Sequence, residues 1–316
     1  MSVPRITVFG GSGFIGRYVV ERLADLGAVV IVAVRDPEAA KALRVFGQVG
    51  QVTPLACNIR DAESVRRAVA GVDCVINLCG ILSESGHQTF QSVHVDGAAI
   101  VARAAAEAGV PRLVQISAIG ANPDSPSKYA RSKAAGERAV REAFPAATIL
   151  RPSVVFGPED GFFNLFAGMT RLTPALPLFG GGTTRFQPVY VCDVAAAVVA
   201  AYSDPATAGQ TYELGGPETL TFADMMRRML AVIGRRRMLV PLPYCVGDIQ
   251  SLFLGLLPNP PLTRDMMRQL RIDNVVAPGA KTLADLGLVP TALDTILPSY
   301  LARYRRGGRI GRQAAA

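Results

Sequence analysis

Paired cysteines are missing from this sequence. Its five cysteines are Cys57, Cys74, Cys79, Cys192 and Cys245, and no two form a CxxC motif. Histidine is scarce, with only His87 and His94. Together these argue against a metal site of the zinc type, so no metal ligand is expected. The odd, scattered thiols fit a reducing, cytoplasmic setting better than a disulfide framework. Long apolar runs are also missing. Stretches such as Leu252–Leu257 fall far short of the roughly 20 residues that a spanning helix needs. MSVPRITVFGG runs directly into strand-like residues, so no signal peptide is expected. No tandem repeat of solenoid type occurs. No acid follows residue 302, whereas Arg303, Arg305, Arg306, Arg309 and Arg312 do. Those five arginines account for much of the +8 net charge, and without them the balance is +3. Residues 304–316 therefore read as a basic, frayed tail able to touch anionic lipid, nucleic acid or an acidic partner, with no specific nucleic-acid motif.

What is present is a core. Half of the 316 residues are hydrophobic. Strand-like runs rich in Val and Ile alternate with helical patterns through the first half. RITVFG, AVVIVAVR, QVTPLACNI, VDCVINLCG, RLVQIS and ATILRPSVVF read as strands. FIGRYVVERLADLG, PEAAKALRVF, DAESVRRAVAG, FQSVHVDGAAIVARAAAEAG and KYARSKAAGERAVREAF read as the helices between them. Strands without clear alternation are buried on both faces, as in a parallel sheet. The expectation is an α/β fold: a Rossmann-type doubly wound parallel sheet over 1–152, with 184–204 returning to it. After Pro152 glycine and proline become frequent, so 153–303 reads as a smaller interleaved lobe. Asp193 is expected to cap its helix, and Thr221 with Asp224 resembles a capping box.

GGSGFIG lies between the first strand and first helix, where a dinucleotide site is built. Gly10, Gly11, Ser12, Gly13, Phe14, Ile15 and Gly16 make up this turn. Gly10 permits the tight turn, Gly13 lets backbone approach a pyrophosphate, and Gly16 lets the helix pack close. The helix N-terminus then offers free N–H groups and partial positive charge to phosphate. The second strand ends VIVAVRD. Arg35 stands where a site for NAD usually has an acid, and a guanidinium suits a 2′-phosphate, so NADP(H) is expected over NAD(H); Asp36 follows at once and leaves NAD use open. Asn58 and Ile59, in CNIRD, are placed to bond and pack against adenine. Cys79 and Gly80, in NLCG, should lie over the cofactor at a strand's carboxyl end.

GGSGFIG, CNIRD, NLCG, YARSK and LRPSVVFGP, in this order, resemble the extended and atypical short-chain dehydrogenase/reductase superfamily over nearly the whole chain. YARSKAAGERAVREAFPAATILRPSVVFGPEDGFFNLFAGM and QPVYVCDVA, continued by LTRDMMRQL and LADLGLVPT, resemble more narrowly the NADPH-binding accessory subunits of respiratory complex I (NADH:ubiquinone oxidoreductase). The narrower resemblance implies a bound NADP(H) held for structure, complex I subunits as partners, and a cytoplasmic place peripheral on the inner membrane. The broader one implies hydride transfer in which Tyr129 moves the hydroxyl proton and Lys133, one turn later, binds the nicotinamide ribose. The superfamily also places a serine or threonine after the fifth strand. Here the simplest register puts Ala118 at that position, and a one-residue slip would offer Ser117. Pro152 and Ser153 would line the nicotinamide end.

FFNLFAGMTRLTPALPLFGGG and PYCVGDIQSLFLGLLPNPP are unusually apolar. They suit a greasy ligand such as a quinone, a surface resting on membrane, or an ordinary core. Three functions stay open: a largely non-catalytic accessory or assembly subunit, an active NADP-dependent reductase or epimerase on a hydrophobic carbonyl or quinone-like substrate, and a redox-sensing nucleotide-binding regulator.

Overall fold

A computed structural model describes residues 3–255, 260 and 262–308. The chain divides into two compact units. The first comprises 1–152, 192–214 and 279–288; the second comprises 153–191, 215–278 and 289–316.

Seven parallel strands form the sheet of the first unit. They are β1 (Arg5–Phe9), β2 (Val29–Val34), β3 (Val52–Ala56), β4 (Cys74–Asn77), β5 (Arg112–Ile116), β6 (Thr148–Pro152) and an edge strand Thr211–Leu214. Their order across the sheet is edge strand, β6, β5, β4, β1, β2, β3. The order reverses between β1 and β4, and such a switch point opens a crevice at the carboxyl ends of its strands. Helices α1 (Phe14–Asp25), α2 (Ala62–Val69), α3 (Ala98–Glu107) and α4 (Lys128–Ala143) connect the strands. α1 shows why the sequence folds this way: its buried residues Gly16, Val19, Val20, Leu23 and Ala24 recur at helical spacing.

The expected α/β sheet is present, with several differences in detail. PEAAKALRVF forms a 3₁₀ helix, Ala39–Phe46, in place of an α-helix. FQSVHVDG winds as a π-helix over Gln91–Gly97 before α3 begins. The return to the first unit starts at Cys192 rather than residue 184, and a second return, Gly279–Leu288, carries the backbone bond Glu213 N–H to Lys281 O (2.8 Å). Asp193 sits inside the first turn of helix Val191–Ser203 and is not its N-cap.

The second unit has short two-stranded pairings and helices Phe163–Leu172, Phe222–Ile233, Tyr244–Leu254, Arg264–Gln269 and Leu293–Leu301. Thr221 and Asp224 form the expected capping box. Phe163, Leu176 and Leu178 from the first apolar stretch join Phe222, Met225 and Tyr300 in one core. Much of that stretch is therefore core, although its Leu165 and Leu172 are exposed. The second also exposes Ile249, Leu252 and Phe253, and its residues 256–259 and 261 lie outside the described residues, as do Arg309 and Arg312 of the tail.

Candidate nicotinamide dinucleotide site

β1 delivers the chain into Gly10, whose φ of +74° is left-handed and strains any residue with a Cβ. A Cβ on Gly16 would lie 2.3 Å from the Gly10 carbonyl oxygen, so α1 starts in backbone contact with the turn. Gly13 occupies the N-cap position of α1, where no side chain caps the helix and no acid stands in the first turn. The first N–H groups of α1 thus keep their capacity for an anion. Ser12 and Gly13 are exposed, and Phe14 and Ile15 are half-buried. Across the switch point, a Cβ on Gly10 would touch the Cys79 sulfur at 3.3 Å.

Arg35 follows β2, is exposed, and has no ion-pair partner among the described residues. The Asp36 carboxylate beside it accepts the Ala39 N–H at 3.1 Å. Asn58 turns its carboxamide oxygen toward Arg60 N–H (3.1 Å). Ile59 is buried against Gly97, where an added Cβ would meet its Cγ1 at 2.4 Å. Its side chain belongs to the core cluster of the first unit.

At the end of β4, Asn77 accepts the Cys79 N–H at 3.1 Å and donates to Gln115 of β5 at 2.9 Å. Burial pushes the Cys79 thiol up to about 12, which makes it a poor nucleophile at neutral pH. Gly80 is exposed, and a Cβ there would sit 3.2 Å from Lys133 Nζ and 3.6 Å from His94 Nε2. Gly80, Lys133 and His94 therefore meet at one spot.

Tyr129 and Lys133 share one face of α4, with Nζ 5.8 Å from the ring centroid. Tyr129 is half-buried and enclosed by Phe90 (centroids 5.9 Å) and His94 (5.5 Å). Burial pushes its phenol up to about 12, so at neutral pH it is a proton donor and not a base. Burial lowers Lys133 to about 8, and Glu137 one turn on pulls it back toward the charged form. Glu137 is itself held by Arg151 through two bonds of 2.8 and 2.7 Å, and Arg151 also reaches Glu213 at 3.3 Å.

His94 was not among the residues singled out from sequence. Its Nε2 accepts the Ile81 N–H at 3.0 Å, which fixes the proton on Nδ1. Nδ1 then donates to Ser132 Oγ (2.8 Å), and that hydroxyl donates to the Tyr129 carbonyl (2.7 Å). Desolvation, aided by the Lys133 charge, drives His94 down to about 3, so it stays neutral. A Cβ on Gly136 would lie 2.0 Å from the His94 carbonyl oxygen, so the π-helix and α4 meet at that glycine.

Ser117 is buried, and its hydroxyl has no hydrogen-bond partner among the described residues. By strand alternation it continues the face of Leu113 and Gln115, the first of which packs in one cluster with Val140 of α4. An orphaned buried hydroxyl on that side fits a ligand oxygen. Ala118 next to it is half-buried and offers none. Pro152 ends β6, and its carbonyl accepts the Ile119 N–H at 3.0 Å. Ser153 belongs to the second unit, where its Oγ lies 2.7 Å from Asn274 Oδ1. Its hydroxyl is thus engaged within that unit.

The uncapped helix, the exposed arginine, the buried cation and the orphaned hydroxyl fit a nicotinamide dinucleotide, which when bound supplies or accepts hydride. Around it these residues can hold phosphate at α1, place a cation at a ribose, and deliver a proton from Tyr129.

Residues 6–215 match the NAD dependent epimerase/dehydratase family, and the chain belongs to that family. Its cofactor class is accordingly a nicotinamide dinucleotide. Within that class the chain is 38% identical to an Arabidopsis thaliana protein named NADH dehydrogenase [ubiquinone] 1 alpha subcomplex subunit 9, mitochondrial, over 96% of this chain and 78% of the relative. It is 39% identical to the Mus musculus protein of that name, over 95% of this chain and 80% of the relative. The solved triphenylmethane reductase of Citrobacter sp. superposes with a TM-score of 0.75 at 21% identity, covering 94% of this chain and 99% of that one, and so shares the fold.

Proposed function

We propose that this protein is an NADP(H)-binding accessory or assembly subunit of respiratory complex I that performs little or no turnover. The observation that carries the reading is the 38% identity, spread over 96% of the chain, to a protein named as a subunit of NADH dehydrogenase [ubiquinone]. The preference for NADP(H) rests on Arg35, exposed and without an ion-pair partner among the described residues, beside an Asp36 already serving a turn. The weak catalysis rests on Ala118 and on a phenol held near 12. Losing one transition-state donor costs about 10²–10³ in rate. The protein would work in the cytoplasm, peripheral on the inner membrane, with complex I subunits as partners. Among the described residues no helix is long and apolar enough to cross a membrane.

A second reading, an active NADP-dependent reductase or epimerase on a hydrophobic carbonyl or quinone-like substrate, is favoured by the Ser117 hydroxyl, buried and without a hydrogen-bond partner among the described residues. Assay of NADPH oxidation against a set of hydrophobic ketones and quinones separates the two. The first reading expects background rates that Tyr129→Phe leaves unchanged. Turnover abolished by Tyr129→Phe would establish the second.

A further inference from the structure

The second unit carries a group of arginines that the nucleotide site does not use. Arg171, Arg235, Arg236, Arg237 and Arg306 form no ion pair with any acid among the described residues. Desolvation first, and then the nearby charges of Arg237, Arg171 and Arg306, disfavour the charge on Arg235. Part of the crowding has a structural cause. The C-terminal ends of three helical segments present carbonyl groups here, and cations suit such ends. Arg237 Nε donates to Thr170 O (2.9 Å), Arg305 Nε to Val232 O (2.8 Å), and Arg235 Nε to Tyr304 O (2.9 Å).

That cause does not account for the whole group. Each of these three bonds uses Nε and fixes the direction of the guanidinium beforehand; Arg237 Nη1 also donates to Arg236 O (3.0 Å), while the Nη groups of Arg235 and Arg305 make no hydrogen bond among the described residues. Arg171 is steadied by stacking on the Tyr304 ring at 4.8 Å and by donating from Nη2 to Arg303 O (2.7 Å). Arg236 and Arg306 are exposed, and their side chains make no hydrogen bond among the described residues. Repulsion among so many cations is a standing cost that an anionic partner would relieve.

The neighbouring surface narrows the choice of partner. Leu172 stands 88% exposed next to Arg171, and Met238 65% exposed next to Arg237. Arg235, Arg236 and Arg237 line a cavity of about 520 Å³ together with Pro174, Leu230 and Met238. Cationic forks set among single exposed apolar side chains match the boundary between phosphate headgroups and acyl chains, where apolar groups enter and arginines remain at the phosphates.

We propose that the face bearing Arg171, Arg235, Arg236, Arg237 and Arg306 docks on an anionic phospholipid surface, with guanidinium forks on headgroup phosphates and Leu172 and Met238 inserted beside them. This goes beyond the nucleotide reading and does not depend on it, because none of these residues belongs to the dinucleotide site.

Vesicle flotation with the full chain tests it, using phosphatidylcholine alone and phosphatidylcholine mixed with phosphatidylglycerol. Binding is expected only to the mixed vesicles, and it should weaken strongly as salt rises from about 0.1 to 0.5 M. The Arg236→Gln, Arg306→Gln double variant leaves every backbone-bonded arginine in place. It is expected to bind about 25-fold more weakly, roughly fivefold per arginine. Leu172→Glu should weaken binding in a separate chain whose nucleotide binding is intact. Equal binding to neutral vesicles, no binding to the mixed ones, or an unaffected double variant would overturn the proposal. So would displacement by millimolar inorganic phosphate, which would mark a site for free phosphate, or capture of an acidic protein without vesicle binding.

Discussion

Two arginine clusters, one in each unit, are built in opposite ways. In the first, Arg151 is largely buried and shared between Glu137 and Glu213, which are 5% and 7% exposed. The charge of that cluster is compensated internally and stands behind Lys133, the cation of the dinucleotide site. In the second unit Arg185, paired with Asp273 at 2.7 Å, is exposed, Arg228 is half-buried between Glu218 and Asp294, and a further group has no acid partner among the described residues. Buried charge must be paired to be tolerated, whereas exposed charge is free to be unpaired and hence to bind. The first arrangement builds a rigid site; the second leaves a surface that lacks its counter-charge.

The largest effect expected from breaking this contrast is at Arg151. Arg151→Ala strands two buried carboxylates and should cost about 3–5 kcal/mol, read as a fall in the urea midpoint. An unchanged midpoint would mean that the network is not what supports α4. The next effect is acid sensitivity from His94. Its folded pKa of about 3 lies below the ordinary 6.5, so between those values the unfolded chain binds the additional proton. Stability should therefore fall as pH drops below about 6.5, by about 2 kcal/mol at pH 5 from this group alone. His94→Gln should flatten that slope; an equally steep profile would remove His94 as its source. Smaller again is Arg35→Ala, which should weaken NADPH binding roughly tenfold or more by loss of a charge-assisted contact, with NADH binding little changed. Tighter binding of NAD(H) than NADP(H) by the unaltered chain would contradict the reading of Arg35. The smallest effect is Arg185→Ala, at most about 1 kcal/mol because the pair is exposed to solvent. A cost comparable with Arg151→Ala would erase the contrast between the units.

What could be read from sequence was what depends on neighbours in the chain. The glycine turn, the six strands through Pro152 and the Thr221–Asp224 capping box are local patterns, and the structure forms each of them. The site's supports were hidden because they join distant segments. His94 meets Ser132 across 38 residues, and Ser153 is taken by Asn274 across 121. A histidine in a helix whose residues wind as a π-turn carries no periodic signal of its role. Ile59 fills the space that Gly97 leaves, a contact that its place after a strand does not announce. Asp193 failed as a cap because its helix begins two residues earlier, at Val191.

Native mass spectrometry of the protein, released gently from membranes, tests the central claim most directly, because it reports bound nucleotide and partner chains together. The account predicts a retained mass matching NADP⁺ or NADPH and co-purifying complex I subunits. A chain that emerges alone, or that carries NAD(H) in place of NADP(H), would contradict it.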